Sequence, residues 1–416
     1  MRVLVEYCLR HRAIVLVLLG IFTVVGLSAY RRLPVEAYPD VTNVQVQIIT
    51  PFPGHAAEEV EQLVTIPVEN EMNGIPRRAS LRSISIFGLS VVTIVFEDDA
   101  DRVYVRQQAI ERMQQVSLPA GASPMLSPDS TPVGEIYRYT LQAPPGFSPL
   151  ELKAIEDWVV ERKIRQVPGI VDVSGFGGPT KQYQVLVDPL RLKSYGVSLR
   201  QVFDALASGN RNAGGSYIEH GPEMYIVRGL GLARDVQDIG SVTVLVKNGT
   251  PVHIRDLAAV ETGAQVRLGF VGKDEADDVV QGIVLLRKGE NALEVLERLR
   301  AKIADINRHD LPAGVRIVPH YDRTELIDRT LHTVLKNMGE GIALVLVVLV
   351  AFLGFSNLPA AGIVALVIPL SLLGAFILLD VRGIPANLIS MGAVDFGIIV
   401  DSAVVVVENV LRRFEE

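Results

Sequence analysis

Three carboxylates interrupt an otherwise apolar stretch near the C-terminal end of the chain, DFGIIVDSAVVVVEN at residues 395–409. They are Asp395, Asp401 and Glu408, and the residues between them have the composition of a membrane-spanning helix. An ionised side chain at the middle of a bilayer costs roughly 2.5–3.5 kcal/mol on insertion scales. Acids at such positions are therefore protonated, paired or exposed to a hydrated cavity. A carboxyl group that alternates between neutral and charged forms can relay protons, so the pattern indicates proton transfer across a membrane.

Helical geometry ranks these three acids as candidate proton-relay residues. At about 100° and 1.5 Å per residue, Asp401 and Glu408 lie within about 20° on one face, whereas Asp395 lies about 120° away from Asp401. Asp401 is nearest the middle of the predicted span and ranks first, followed by Asp395 and then Glu408. Structural roles stay open for two of them. Glu408 could pair with Arg412 and Arg413, and Asp395 could cap or orient a neighbouring helix.

The composition predicts further membrane spans. Of the 416 residues, 49% are hydrophobic, and the mean hydropathy is +0.31, which is unusual for a soluble protein. The first apolar run could also be a signal peptide, but it is long and no A-x-A-like site closes it, which favours an anchor. The four predicted spans are 13–30, 338–355, 358–379 and about 386–410.

Basic residues at the outer ends of these spans predict the orientation of the chain. They are Arg2, Arg10 and Arg12 before the first span, and Arg412 and Arg413 after the fourth. Four spans place both ends on one side of the membrane, and the positive-inside rule makes that side the cytoplasm. Residues of about 31–337 are therefore predicted to be periplasmic, in a multi-pass protein of a bacterial inner membrane.

Charge and cysteine content exclude several classes of function. The net charge is −7 and no basic run occurs, so nucleic acid is not an expected partner. Cys8 is the only cysteine, which excludes a disulfide framework and a thiolate cluster for zinc or iron–sulfur.

The predicted periplasmic region repeats one order of elements, β-α-β-β-α, which opens a split βαβ (ferredoxin-like) unit. Residues 210–290 are rich in glycine and appear inserted into the second unit, which closes with a helix at 292–307 and a strand at 315–321. A helix at 322–337 could run directly into the second span. The fold class is thus an α+β membrane protein with four spans and two such units. The first copy is predicted at 44–50, 55–74, 82–97 and 101–116, and the second at 135–142, 148–167, 171–175, 181–187 and from Ser198.

Several other motifs favour ordinary structural roles. GFGGPTK at 175–181 lacks the spacing of a phosphate-binding loop and is predicted to be a tight hairpin turn. Trp158 is predicted to lie in the core, and Asp101 near a helix N-cap. The methionines of the predicted periplasmic region are predicted to fill gaps in the core. Its histidines do not have the spacing of a metal site. These residues are Met72, Met113, Met125 and Met224, and His55, His220, His253, His309, His320 and His332.

Nearly the whole chain resembles the N-terminal half of the resistance–nodulation–division (RND) transporters, specifically their heavy-metal efflux branch. The fourth-span stretch carries the most specific match, because Asp401 occupies the family's relay position in GxxVD and Glu408 that of its membrane glutamate. Multidrug members have a second Asp where this chain has Ser402, and Asp-Phe-Gly at 395–397 resembles the cobalt, zinc, cadmium or nickel exporters. Further matching stretches are 33–69, 134–141, 168–189 and 321–328.

The resemblance implies a proton-driven transporter of divalent metal cations, not an enzyme, and it implies no cofactor. Family members are homotrimers that work with a periplasmic adaptor and an outer-membrane channel. Such pumps have twelve spans, so this chain alone is expected not to transport, and the metal ligands remain unassigned. The implied regions are 1–32 with the first span, 33–135 and 136–335 as porter subdomains, about 210–290 as a docking insertion, and 336–416 with spans two to four.

Three other functions are weighed against metal export. Export of organic compounds by a related pump is disfavoured by Asp-Phe-Gly at 395–397. An intramembrane aspartyl protease needs aspartates that face one another from two helices, whereas the deep acids here lie on one, and no G-x-G-D motif occurs. A non-transporting membrane interaction protein is the third alternative, and it would be favoured if Asp401→Asn left cells unchanged.

Overall fold

The computed structural model describes residues 10–33, 35–36, 40–247, 249–267, 269–353, 358–384, 386–387, 405–407 and 409–410. Asp395, Asp401 and Glu408 lie outside these residues, as do Cys8 and most of the predicted fourth span. The described part of the chain combines helices and strands, as the sequence predicts. Two of its helices, Arg12–Arg32 and Gly362–Arg382, are long and apolar enough to cross a membrane.

The first repeat of strands and helices follows the N-terminal helix. Its four strands form an antiparallel sheet in the order β3-β4-β2-β5. In chain order the elements are α1 (Arg12–Arg32), β1 (Val35–Glu36), β2 (Gln45–Pro51), α2 (Ala57–Val60, a π-helical turn at Glu61–Thr65, and Ile66–Met72), β3 (Arg78–Ile86), β4 (Leu89–Phe96), α3 (Arg102–Met113) and β5 (Met125–Leu126).

Alternating burial along β2 and β4 places one face of this sheet against the two helices. Ile48 and Ile94 are fully buried there, together with Val68 of α2 and Val105 of α3. Asp101 caps α3 as predicted, because its carboxylate accepts hydrogen bonds from the next backbone amides. The first repeat is therefore a two-layer unit with its own core.

The second repeat begins with β6 (Glu135–Gln142), α4 (Pro149–Ile155, a π-helical turn at Glu156–Val160, and Glu161–Ile164) and β7 (Ile170–Phe176). Both repeats thus carry a π-helical turn in the middle of their first helix. Such turns add one residue to a helix and shift the face that its later residues present.

The chain then forms a separate body with its own core around Val202, Ile254 and Leu257. The sequence predicts that GFGGPTK is a hairpin turn, and this is wrong. The strand after it, Lys181–Val187, pairs antiparallel with Ala258–Ala264, whereas β7 pairs with Gln281–Leu286. The two strands that flank GFGGPTK therefore lie in different sheets. In chain order this body contains β8 (Lys181–Val187), α5 (Pro189–Tyr195), α6 (Leu199–Gly209), β9 (Ala213–His220), β10 (Glu223–Gly229), α7 (Val236–Gly240), β11 (Thr243–Lys247), β12 (Thr250–His253), α8 (Ile254–Leu257) and β13 (Ala258–Ala264).

The second repeat closes with β14 (Gln281–Leu286), α9 (Ala292–His309) and β15 (Arg316–Asp322). Its sheet has the order β15-β6-β14-β7. When the strands of each repeat are numbered in chain order, both sheets have the order 2-3-1-4, starting from the edge formed by the second strand of the repeat. The antiparallel strands are covered by α4 and α9, whose buried residues form the largest core of the described residues.

Two long helices complete the described chain. Helix α10 (Arg323–Leu353) starts directly after β15 and runs without a break into the predicted second span, as the sequence analysis expects. Helix α11 (Leu358–Arg382) covers the predicted third span, and β16 (Ala386–Asn387) follows it. Helix α10 thus connects the sheet of the second unit directly to the predicted second span.

The predicted burial of three residues, Trp158, Met125 and Met224, is wrong. Trp158 lies on α4 but is 70% exposed, because it follows the buried Glu156 by two residues, or about 200° around the helix. Met125 and Met224 are also exposed, whereas Met72 is fully buried and Met113 packs at the edge of the first core.

The close approach of Tyr139 to β14 depends on the absence of a side chain at Gly282. A Cβ atom at Gly282 would overlap the buried ring of Tyr139. We expect Gly282→Ala to lower the free energy of unfolding by about 1–3 kcal/mol, as overpacking does in other cores. The measurement is chemical denaturation of the detergent-solubilised chain, followed by circular dichroism. The control is Gly214→Ala on β9, where a Cβ atom meets nothing within 4 Å; equal effects of the two variants would contradict the prediction.

Candidate functional site

The predicted proton-relay residues Asp395, Asp401 and Glu408 lie outside the described residues, so their surroundings are not part of the observed geometry. The described elements closest to them in sequence are α11 and β16, which contact α1 and β1. The other described features near the predicted membrane region are the start of α10 and the second unit from which α10 continues.

Helices α1 and α11 pack closely through small residues. Gly26 faces Leu373 so closely that a Cβ atom at Gly26 would need Leu373 to move. Near the end of α1, the rings of Tyr30 and Phe376 are 5.2 Å apart. Small residues that let two backbones approach are typical of helix pairs in membranes, where dispersion contacts replace the hydrophobic effect.

The ends of these two helices lie on the same side. Strand β1 follows α1, β16 follows α11, and the two strands pair in parallel, with Val35 opposite Ala386 and Glu36 opposite Asn387. Since each strand continues from the C-terminal end of its helix, α1 and α11 run in the same direction.

The start of α10 is fixed to the second unit by charged groups. Asp322 accepts a hydrogen bond of 2.9 Å from the amide of Thr324, and its other oxygen accepts one of 2.8 Å from Arg300 on α9. Arg323 is 7% exposed and donates to the carbonyl of Glu135 at 3.0 Å. The first turn of α10 is thus bound to both α9 and β6.

A cavity of about 530 Å³ lies beside this junction. Burial together with the charges of Lys273 and Arg138 lowers the pKa of His320, one of its lining residues, so its imidazole is neutral at pH 7. A neutral imidazole can bind a metal ion. However, no group of three or more His, Cys, Asp or Glu suited to a metal occurs among the described residues, so this cavity is not assigned as a metal centre.

The π-helical turn of α4 places a carboxyl group in the core of the second unit. Glu156 is fully buried, and its Oε1 accepts a hydrogen bond of 2.8 Å from the hydroxyl of Tyr139, while Oε2 has no partner. Beside it, Lys153 binds Asp157 at 2.8 Å. These side chains converge over Gly175, where a Cβ atom would contact Lys153, Asp157 and Glu156.

Burial raises the pKa of Glu156 to about 7, opposed by the hydrogen bond from Tyr139 and the charge of Lys153. The same burial, together with the nearby carboxylate, raises the pKa of Tyr139 well above its ordinary value. Glu156 can therefore gain or lose a proton near neutral pH, which an exposed glutamate does not do.

Sequence reasoning missed both Glu156 and Arg323. Glu156 is four residues before Val160 and eight before Ile164, both fully buried, so a carboxylate on this apolar stripe was a detectable signal. Arg323 had no comparable signal, since its burial depends on contacts with residues far away in sequence.

Similarity to known proteins covers almost the whole chain. The model of the AcrB/AcrD/AcrF family matches residues 4–416. The cobalt-zinc-cadmium resistance protein CzcA of Cupriavidus metallidurans (strain ATCC 43123 / DSM 2839 / NBRC 102507 / CH34) is 44% identical over 410 residues, which is 96% of this chain and 38% of that protein. The cation efflux system protein CusA of Escherichia coli (strain K12) is 39% identical over 389 residues, or 92% of this chain and 37% of that protein.

The fold is also similar to a solved structure, crystal form II of a heavy metal efflux pump. The TM-score is 0.91 at 46% sequence identity, and the match covers 99% of this chain and 41% of that chain. This chain thus spans about two fifths of the length of the relatives it matches.

Proposed function

Because the chain belongs to the AcrB/AcrD/AcrF family of resistance–nodulation–division transporters, we propose that it is the N-terminal part of a proton-driven pump that exports divalent heavy-metal cations. The observation that carries this proposal is the 44% identity to a cobalt-zinc-cadmium resistance protein along almost the whole chain. That similarity favours metal cations over organic compounds as substrates. Since the chain spans about two fifths of such proteins, transport is proposed for the longer assembly.

In this proposal the chain has four spans in the inner membrane, with residues of about 31–337 in the periplasm. A four-span topology requires the first and third spans to run in the same direction. The parallel pairing of β1 with β16 after α1 and α11 supports this requirement. The uninterrupted run of α10 from the second unit toward the membrane supports the position of the second span.

The proposed porter subdomains are 33–135 and 136–335, each a ferredoxin-like unit. The matching strand orders of the two sheets and the π-helical turn in each first helix support a repeated unit. The sequence predicts a docking insertion at about 210–290. The pairing of β8 with β13 supports an earlier start for it, soon after β7.

The proposed assembly is a homotrimer that works with a periplasmic adaptor and an outer-membrane channel. The hairpin of β9 and β10 supports a role in assembly, because every residue of both strands is exposed. Its exposed apolar side chains include Tyr217, Ile218 and Ile226. Exposed apolar side chains on both faces of an extended arm are typical of a contact with another protein.

Proton movement drives the proposed export through Asp401, with Asp395 and Glu408 in supporting positions. One proton that crosses about 100 mV releases roughly 2.3 kcal/mol, enough for a metal concentration ratio of about fifty. The proposed mechanism therefore needs a carboxyl group that is reached from both sides of the membrane in turn.

The test compares the 416-residue chain with the same chain extended by the C-terminal part that its longer relatives carry. In liposomes with an imposed pH gradient, we expect the extended pump to move Zn²⁺, Co²⁺ or Cd²⁺ and the chain alone to move none. Metal uptake is followed with a fluorescent indicator, and collapse of the gradient with an uncoupler is the control. Metal transport by the chain alone, or uncoupler-resistant transport by the extended pump, would contradict the proposal.

A further inference from the structure

The two units meet at a polar contact beside the start of α10. Asp40 precedes the first unit, Lys288 follows β14 of the second, and Thr131 lies in the linker between them. Thr131 donates a hydrogen bond of 3.0 Å to Asp40, and Lys288 donates one of 3.0 Å to the carbonyl of Thr42 while lying 3.9 Å from the Asp40 carboxylate. We call Asp40, Thr131 and Lys288 the joint cluster. It contributes to the contact between the two units through the Asp40 carboxylate and the Thr42 carbonyl.

Asp40 is ionised at neutral pH. Burial alone would raise its pKa, but hydrogen bonds from Thr42 and Thr131 and the charge of Lys288 bring the pKa below its ordinary value. The joint cluster therefore depends on a negative charge, and any other cation that approaches Asp40 competes for it.

Arg323 reaches this contact from the first residue of α10. It lines a cavity of about 30 Å³ together with Asp40, Thr131 and Lys288. Its guanidinium donates to the carbonyl of Glu135, just after the linker, and its buried Nε has no partner among the described residues. Among the described residues Arg323 forms no ion pair. A buried guanidinium with an unused donor is costly, and it gains much from reaching a carboxylate.

The linker beside this cavity has little freedom to adapt. Ser130 donates a hydrogen bond of 2.9 Å to the carbonyl of Leu286, and a Cβ atom at Gly134 would overlap Ser130. A shift of Arg323 is thus transmitted to the contact between the units, because the tightly packed linker cannot absorb it.

From these contacts we propose that Arg323 is the positioning residue that couples movement of α10 to the joint between the two units. In one position its guanidinium holds the Glu135 carbonyl, and the joint cluster is intact. When α10 shifts at its membrane end, the guanidinium crosses the small cavity to Asp40, displaces Lys288 and Thr131, and loosens the joint. Helix α10 is about 46 Å long at 1.5 Å per residue, so a small tilt at the membrane moves its first turn as a rigid body.

This inference rests on the proposed function for its role in transport, but the joint itself can be tested on the chain alone. The first experiment measures amide hydrogen exchange in the detergent-solubilised chain carrying Arg323→Gln. We expect exchange at residues 129–135 to rise by about tenfold or more, as loss of a charged hydrogen bond does, while 136–142 of β6 and strand β14 keep their protection. Arg329→Gln, an exposed position on the same helix, is the matched control and should leave both regions unchanged. Unchanged exchange at 129–135, or an equal rise throughout the second unit, would overturn the inference.

The second experiment uses the extended pump. We expect Arg323→Gln to lower the maximum rate of metal transport by about tenfold or more, with the KM for metal unchanged, and Arg323→Lys to restore part of the rate. A wild-type rate in Arg323→Gln, or a changed KM with an unchanged maximum rate, would refute the coupling role. If the unmodified pump moves no metal, the proposed function fails, and the exchange experiment alone decides whether Arg323 controls the joint.

Discussion

Replacing Asp401 with asparagine is expected to abolish proton-coupled metal export and to leave cells as metal-sensitive as cells without the pump. The amide has nearly the same shape as the carboxyl group but cannot take up or release a proton at physiological pH. The measurement is growth on graded zinc, cobalt and cadmium in cells that express the extended pump, combined with proton flux in liposomes. Because the relay requires protonation at each cycle, we expect the rate to fall by at least about a hundredfold, the lower end of the range for a positioned acid–base group.

The controls for this experiment separate chemistry from folding. Asp380→Asn makes the same substitution near the end of α11, outside the predicted relay residues. It should keep export within about twofold. Asp395→Asn and Glu408→Gln are expected to give intermediate losses, in that order of severity. Metal tolerance in Asp401→Asn cells equal to that of the wild type would remove the proposed driving force and favour a non-transporting interaction protein.

Replacing Glu156 with glutamine is expected to stabilise the second unit at pH 8. It is also expected to remove most of the change in the free energy of unfolding between about pH 4.5 and pH 7. The folded chain holds the Glu156 proton more tightly than the unfolded chain does, because burial raises its pKa to about 7. The free energy of unfolding therefore falls as the pH rises from about 4.5 to about 7, by roughly 3 kcal/mol in total, and is constant above that. A neutral amide does not pay this cost at any pH. The readout is the difference in amide protection of α4 and β7 between variant and wild type at pH 5 and pH 8.

The matched control is Glu151→Gln on the same helix. Glu151 is exposed and bound to Lys181 at 2.6 Å, so its loss should change protection little and equally at both pH values. If Glu156→Gln kept the pH dependence of the wild type, another group would be responsible for it.

The proposed periplasmic position of the second unit gives this pH dependence a consequence for the proposed pump. Asp401 lies in the predicted membrane region. Glu156 lies in the core of the second unit, and α10 continues from the last strand of the sheet of that unit. Acidification that protonates Glu156 tightens α4 on its sheet, which is the direction of the stability change derived above.

Local patterns in the sequence determined much of this protein. Apolar runs predicted α1, α10 and α11, and alternating or helical periodicity predicted the strands and helices of the first unit, because these signals depend on neighbouring residues only. In the second unit the prediction is partly wrong, since 181–187 and the helix from Ser198 belong to the separate body and β14 replaces them in the sheet. The motif around Asp401 identified the family, which the similarity along residues 4–416 confirms. The role of Asp401 itself stays a prediction.

Only the tertiary structure decided three other features, because each depends on contacts between residues that are far apart in sequence. Strand β8 follows β7 by a few residues but pairs with β13, since strand pairing is fixed by the packed core and not by proximity in sequence. The protonation of Glu156 also depends on the tertiary structure, since its pKa is set by burial in the second unit and by the hydroxyl of Tyr139 on β6. Arg323 became a candidate only when residues 40, 131, 135 and 288 met around it, because burial of a charge depends on which distant groups surround it.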